Sequence, residues 1–156
     1  MQKVYHRPME SFTENRKARY DYETLETFEG GIVLSGQEVK SIRNSGANLT
    51  GAHISLQNGE LWLKGAHIAP YAKAGTLEGY DPMRARKVLI RTREIQALIG
   101  KMQQKGLTLV PFALYPHGRH IKLRFSLCRG RKAHGKKELL KRRDITRELQ
   151  RGDDEH

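Results

Sequence analysis

The sequence predicts a mainly β protein with helices: a small, curled antiparallel barrel that carries a basic, flexible C-terminal tail. Short segments of alternating apolar residues, separated by turn signals, recur from Tyr20 to Cys128. The regular strand–helix alternation of a parallel sheet is missing. Charge is also uneven. Of a formal +12 over 156 residues, +7 falls between Arg129 and Arg143, where eight Lys/Arg stand against Glu138 alone. That run holds too few apolar residues for a core, so it stays solvated or finds a polyanion.

In chain order, Met1 to Thr13 has Pro8 and no periodicity, and a mobile arm is expected over residues 1–14. Asn15-Arg16-Lys17-Ala18-Arg19 predicts a short helical turn, and Tyr20 to Glu29 a strand with one wet face. Gly30-Gly31 predicts a bulge or bend before Ile32-Val33-Leu34. Ser35-Gly36-Gln37-Glu38 is a capping box. The helix it opens puts Val39 and Ile42 on one face and ends at Asn44-Ser45-Gly46. So short a helix must plug something.

Ile54 and Leu56 lead to Asn58-Gly59, a strong hairpin signal, and Leu61-Trp62-Leu63 returns. His67-Ile68 predicts a short strand, and Ala72 to Pro82 a loop. Val88-Leu89-Ile90 is a strand core flanked by Arg84, Arg86, Lys87, Arg91 and Arg93. Thr92 is the expected cap of a helix with Ile95, Leu98, Ile99 and Met102 on one face and Gly106 as its stop. Leu107 to Tyr115 is a strand with Pro111 at an edge or bulge. Ile121, Leu123, Phe125 and Leu127 then alternate with Lys122, Arg124, Ser126 and Cys128, the first set facing a core and the cations facing out. A curled barrel with capping helices is the oligonucleotide-binding (OB) architecture. It is expected over residues 15–127, with residues 128–156 as a tail that is disordered when free and helical on a partner.

The composition narrows the function. No apolar stretch approaches the ~20 residues of a spanning helix, and the tail lacks the apolar face of an interfacial one. Met1 to Glu10 lacks the apolar centre of a secretory signal. The lone Cys128 fits a reducing cytoplasm and cannot form an intrachain disulfide. Gly130 to Lys137 matches a phosphate-binding loop except that Lys137 stands where the Mg²⁺-binding hydroxyl belongs, and no later strand completes the unit. The seven histidines have no metal-ligand spacing, and no nucleophile setting is recognisable. The expectation is no enzyme and no cofactor.

Nucleic acid is the leading partner. Arg16, Lys17, Arg86, Lys87, Lys122 and Arg124 are the candidate phosphate contacts of the folded part, joined in the tail by Arg131, Lys132, Lys136, Lys137, Lys141, Arg142 and Arg143. Tyr20, Tyr22, Phe28 and His134 can stack on unpaired bases. For the tyrosines and Phe28, packing within the barrel is an equal reading. A structural ribosomal or RNA-packaging protein without a delivery role fits the composition as well.

Longer segments are more specific. Asn15 to Tyr22, Glu29 to Arg43, Ala66 to Tyr71, Asp81 to Leu89 and Gly106 to Pro111 closely resemble the SsrA-binding protein (SmpB, small protein B) family, in colinear order from about Asn15 to Arg147. The resemblance implies an RNA-binding adaptor of trans-translation that binds the tRNA-like domain of transfer-messenger RNA. It acts with EF-Tu and GTP at stalled ribosomes, where the tail becomes helical in the empty mRNA channel near the decoding centre of the small subunit. It also implies RNA contacts at Asn15, Glu29, Leu89 and Lys122. Where the family tail carries Asp and then Lys-Arg, this chain has Gly135 and then Lys136-Lys137. The substitution removes a carboxylate and adds backbone freedom.

Overall fold

The computed structural model describes residues 11–75 and 77–131. The elements are β1 (Thr13–Glu14), α1 (Arg16–Asp21), β2 (Tyr22–Ile32), α2 (Gly36–Arg43), β3 (Ala47–Asn48), β4 (His53–Gln57), β5 (Glu60–Lys64), β6 (His67–Ile68), β7 (Arg86–Leu89), α3 (Thr92–Met102), β8 (Leu107–His117) and β9 (His120–Gly130). Among the described residues the fold is mainly β with three α-helices, and every strand pairing is antiparallel. The main sheet has the order β1-β8-β4-β5-β7-β2-β9, and β8 also pairs with β9, so the ladder closes on β8 and leaves β1 at its edge. β3 and β6 form a separate two-stranded sheet.

Local signals explain most elements. Asn58 and Gly59 adopt φ of 52° and 73°, the left-handed pair a two-residue hairpin needs, and β4 and β5 zip from them. The apolar parity of β9 buries Ile121, Leu123, Phe125 and Leu127, and Phe125 stacks on Phe28 with centroids 5.5 Å apart. α2 sits as the plug: Ser35 and Glu38 close both halves of the capping box, and Ile42 is fully buried.

Several expectations are corrected. The arm is shorter than residues 1–14, because Phe12 N donates to Leu114 O at 2.7 Å and Thr13–Glu14 pair with β8; residues 1–10 lie outside the described residues. The irregularity in β2 falls between Thr24 and Glu26, not at Gly30-Gly31. Pro111 does sit at a bulge, where the register shifts before Ala113. The cap of α3 is Arg91 rather than Thr92, and Arg91 has no side-chain acceptor to offer; its carbonyl takes the Glu94 and Ile95 amides. The folded body also extends past residue 127. Cys128 and Ser126 are buried, with Cys128 in a second small core of Ala18, Val110 and Phe112 under α1, and the Arg131 amide donates to Asp21 O at 2.8 Å. Burial pushes the Cys128 thiol up to about 11, so it stays protonated.

One polar cluster fastens the plug to the sheet. Glu38 is fully buried, and its carboxylate accepts from Arg84 and from Arg86, whose Nε lies 2.9 Å away. Arg86 is also fully buried; it donates to Ala66 O at 2.8 Å and to the Tyr80 hydroxyl, which itself donates to Ile68 O at 2.8 Å. Burial alone would raise the Glu38 pKa, but hydrogen bonds from Arg84, the Ser35 amide and Arg86 overcome it and hold the group at about 2.

A folded-state pKa below the unfolded value adds stability that is complete above about 4.5 and is lost as pH falls toward about 2. Urea midpoints measured from pH 7 to pH 2 should therefore decline through that acid window. Glu38→Gln, which strands the Arg86 charge in the core, should cost about 3–5 kcal/mol at pH 7 and flatten the acid decline. A variant as stable as the wild type at pH 7 would show that the cluster does not hold α2.

Candidate nucleic-acid interface

At its C-terminal end β2 changes partners. Gly31 is opposite Lys122 of β9 on one side and Leu89 of β7 on the other, so Leu89, Gly31 and Lys122 form one row across three strands. β8 continues the row, with Tyr115 opposite Lys122. The neighbouring row places Glu29 opposite Arg124. Two glycines make the crossing possible. A Cβ on Gly30 would lie 2.8 Å from Ile90 Cγ2 and 2.9 Å from Leu89 O, and one on Gly31 would touch Leu89 Cβ at 3.4 Å. Gly31 thus puts no side chain of its own between Leu89 and Lys122.

A groove of about 850 Å³ opens over this crossing, lined among others by Phe28, Glu29, Leu89, Arg91, His117 and Lys122. A second recess of about 480 Å³ shares Leu89, His117 and Lys122 and runs on toward Leu34 and Val39 of the α2 region. Leu89 is 49% exposed, the highest value among the large exposed apolar side chains of the described residues. The groove mixes signs. Glu26 is neutralised by Lys101 of α3, whereas Glu29 stands open with Arg124 3.8 Å away. The Arg124 guanidinium lies 4.9 Å from the centroid of the Tyr115 ring, a cation–π placement that fixes the plane of the fork. Burial, then the Glu29 charge, pushes the Tyr115 hydroxyl up to about 12, so it is a permanent donor at neutral pH.

The structure thus brings Glu29, Leu89, Lys122 and Arg124 together and separates other candidates from them. Arg16 and Lys17 are exposed on α1, and Tyr22 is half-buried beneath it against the small core. Lys87 shares the outer face of β7 but pairs with Glu60 at 3.1 Å. Two candidates are corrected. Arg86 is fully buried and committed to Glu38, so it presents no charge to a ligand. Asn15 is 2% exposed: its Nδ2 donates to Leu49 O and Pro111 O, and its Oδ1 accepts from Ala18 N to cap α1. It positions the helix and ties off the Pro111 bulge. Gly31, Tyr115 and His117 belong to the site although the sequence reading did not select them. The paired glycines inside a strand were their only local signal. Of the tail candidates, Arg131 is described; Lys132, His134, Lys136, Lys137, Lys141, Arg142 and Arg143 lie outside the described residues.

A closed antiparallel sheet with an exposed leucine and a lysine on either side of a glycine, and a carboxylate two residues before that glycine, on a chain of net charge +12, defines a polyanion-binding protein with hydrogen-bonding selectivity. The family model described as SmpB protein matches residues 12–154, and the chain belongs to the SmpB family. SsrA-binding proteins of Trichormus variabilis and Nostoc sp. are each 50% identical to it over 139 residues, covering 89% of this chain and 90% of theirs. The SsrA-binding protein of Oleidesulfovibrio alaskensis is 46% identical over 138 residues, covering 88% of each chain. A solved chain described under "tmRNA-SmpB: a journey to the center of the bacterial ribosome" superposes with a TM-score of 0.65 at 48% identity, covering 78% of this chain and 85% of that one.

Gly30→Ala should lower stability by about 1–3 kcal/mol, because the new methyl meets backbone at Leu89 as well as Ile90. Gly36→Ala, where nothing lies within 4 Å, should not destabilise. Thermal melts of the two variants decide it, and equal melting temperatures would show that β7 does not press on Gly30.

Proposed function

We infer that the chain is an RNA-binding adaptor of trans-translation, which binds the tRNA-like domain of transfer-messenger RNA (SsrA) and brings it to stalled ribosomes. The observation that carries this reading is the Leu89–Gly31–Lys122 row beside Glu29, in a chain 50% identical to SsrA-binding proteins. Each side chain suits a different part of a nucleotide. Lys122 supplies a point charge for a phosphate, and Glu29 accepts from a ribose 2′-hydroxyl or a base amino group. Leu89 offers an apolar surface to a base or sugar face, and Gly31 puts no side chain in the way of it. Arg16, Lys17 and Tyr22 extend the same footprint over α1, and Lys87 adds field from β7. The ligand is held without making or breaking a bond, so the reading asks for no cofactor and no metal.

The closed ladder, entered by a nucleic acid where one strand changes partners, is assigned here to the oligonucleotide-binding barrel class. The run from Lys132 to Arg143 is the part that meets the small-subunit rRNA along the empty mRNA channel near the decoding centre, with His134 stacking on a base. EF-Tu with GTP joins through the RNA complex. The chain works as a monomer in the bacterial cytoplasm.

Competition between the tRNA-like domain and ordinary tRNA for the intact chain should favour the former strongly. Equal affinity for any structured RNA would favour a packaging role instead. Lys122→Ala should weaken binding and reduce the slope of log Kobs against log salt by about 0.9, one phosphate's counterions. A chain ending at Arg131 should keep its affinity for the tRNA-like domain and lose tagging on stalled ribosomes. Loss of RNA binding by that truncation would contradict the division between body and tail.

A further inference from the structure

A separate concavity of about 330 Å³ lies where the end of α1 meets the outer faces of β2 and β9. It is lined by three arginines, Arg19, Arg124 and Arg131, together with Tyr22 and Phe112. No Asp or Glu is among its described lining residues. Thr27 Oγ1 and Ser126 Oγ, 3.1 Å apart across the β2–β9 ladder, lie in its lining, so hydroxyls as well as cations face the space.

Two of these arginines have only loose carboxylate partners. Arg19 reaches Glu14 and Arg124 reaches Glu29 only at 3.8 Å, beyond hydrogen-bond range. Arg131 is anchored by its amide to Asp21 O, yet its Nε is shut from solvent with no hydrogen-bond partner among the described residues. A guanidinium N–H closed off from water and left unsatisfied is unfavourable until an acceptor arrives. Three arginines along one concavity offer planar forks that match the oxygens of a phosphate better than any other common acceptor.

We propose that this concavity is an RNA phosphodiester site, with Arg19, Arg124 and Arg131 holding one phosphate and Tyr22 presenting its ring to the adjoining nucleotide. The proposal deepens the RNA-binding reading and rests on it. Along β9 the residues Lys122, Arg124 and Ser126 share one face at steps of about 7 Å. The site therefore continues the Leu89–Lys122 groove toward Arg131, where the described chain ends. The phosphate can belong to transfer-messenger RNA or to ribosomal RNA; the recognition chemistry is the same.

The test uses the full chain and its Arg19→Gln/Arg131→Gln variant, with Arg131→Lys as the charge-keeping control. Binding to the isolated tRNA-like domain and to vacant ribosomes is measured over a range of salt concentrations. If the phosphate is from transfer-messenger RNA, the double variant lowers the salt slope for the domain by about 0.9. If it is ribosomal, the same drop appears only with ribosomes. In either case Arg131→Lys keeps the wild-type slope. Unchanged slopes in both arms, or an equal drop in Arg131→Lys, overturn the proposal. Failure of the wider RNA-binding reading looks different: the wild-type chain itself shows no preference for the tRNA-like domain over tRNA.

Discussion

The partner exchange of β2 at Gly30-Gly31 is the constraint on which the rest of the molecule depends. Up to that point β2 is hydrogen-bonded to β9; at Gly31 and Ile32 it is also paired to β7, which closes the ladder. Closure brings β7 so near that a Cβ on Gly30 would lie 2.9 Å from Leu89 O, so a side chain there would force a shift. The same crossing sets an apolar residue from one strand and a lysine from another on either side of a position with no side chain. Fold closure and the shape of the candidate groove are thus two consequences of one close backbone approach.

The buried Glu38 cluster serves the crossing from behind. Arg86 begins the strand that carries Leu89, and its guanidinium is held by a carboxylate on the plug helix. Arg86 and Val88 point inward, so Lys87 and Leu89 must point out. A buried ion pair of this kind is a weak source of net stability against an apolar alternative, but it is specific about register. A slip of one residue in β7 would expose Arg86 and Val88 and bury Lys87 and Leu89, an outcome the core cannot accept. The cluster therefore fixes which face of β7 lines the candidate groove.

Much of this was legible from local pattern. The Ser35–Glu38 capping box, the Asn58-Gly59 hairpin, the parity of Ile121 to Leu127 and the Pro111 bulge are short-range features, and each is present in the structure. Arg86 was misread because it sits in a run of cations, while its partner Glu38 is 48 residues distant. The clue was its parity with Val88, which marks an inward position. Asn15 was misplaced for a related reason: its partners Leu49 O and Pro111 O are 34 and 96 residues along the chain. The reading of β9 set Lys122 and Arg124 facing out and assigned no cover to Ser126 and Cys128, which alternate with the same apolar set; both are buried, Cys128 against Ala18 of α1. The meeting of Glu29, Leu89 and Lys122 came from family resemblance; pairing across β7, β2 and β9 supplies its physical cause.

The central claim, that RNA is gripped where β2 changes partners, is tested most directly by mapping backbone amide shifts of the isotope-labelled chain as the tRNA-like domain is added. The account predicts the largest perturbations at Glu29, Gly31, Leu89 and Lys122, with little change along the β4–β5 hairpin around Asn58. Perturbations centred on that hairpin, with the Leu89–Gly31–Lys122 row silent, would contradict it.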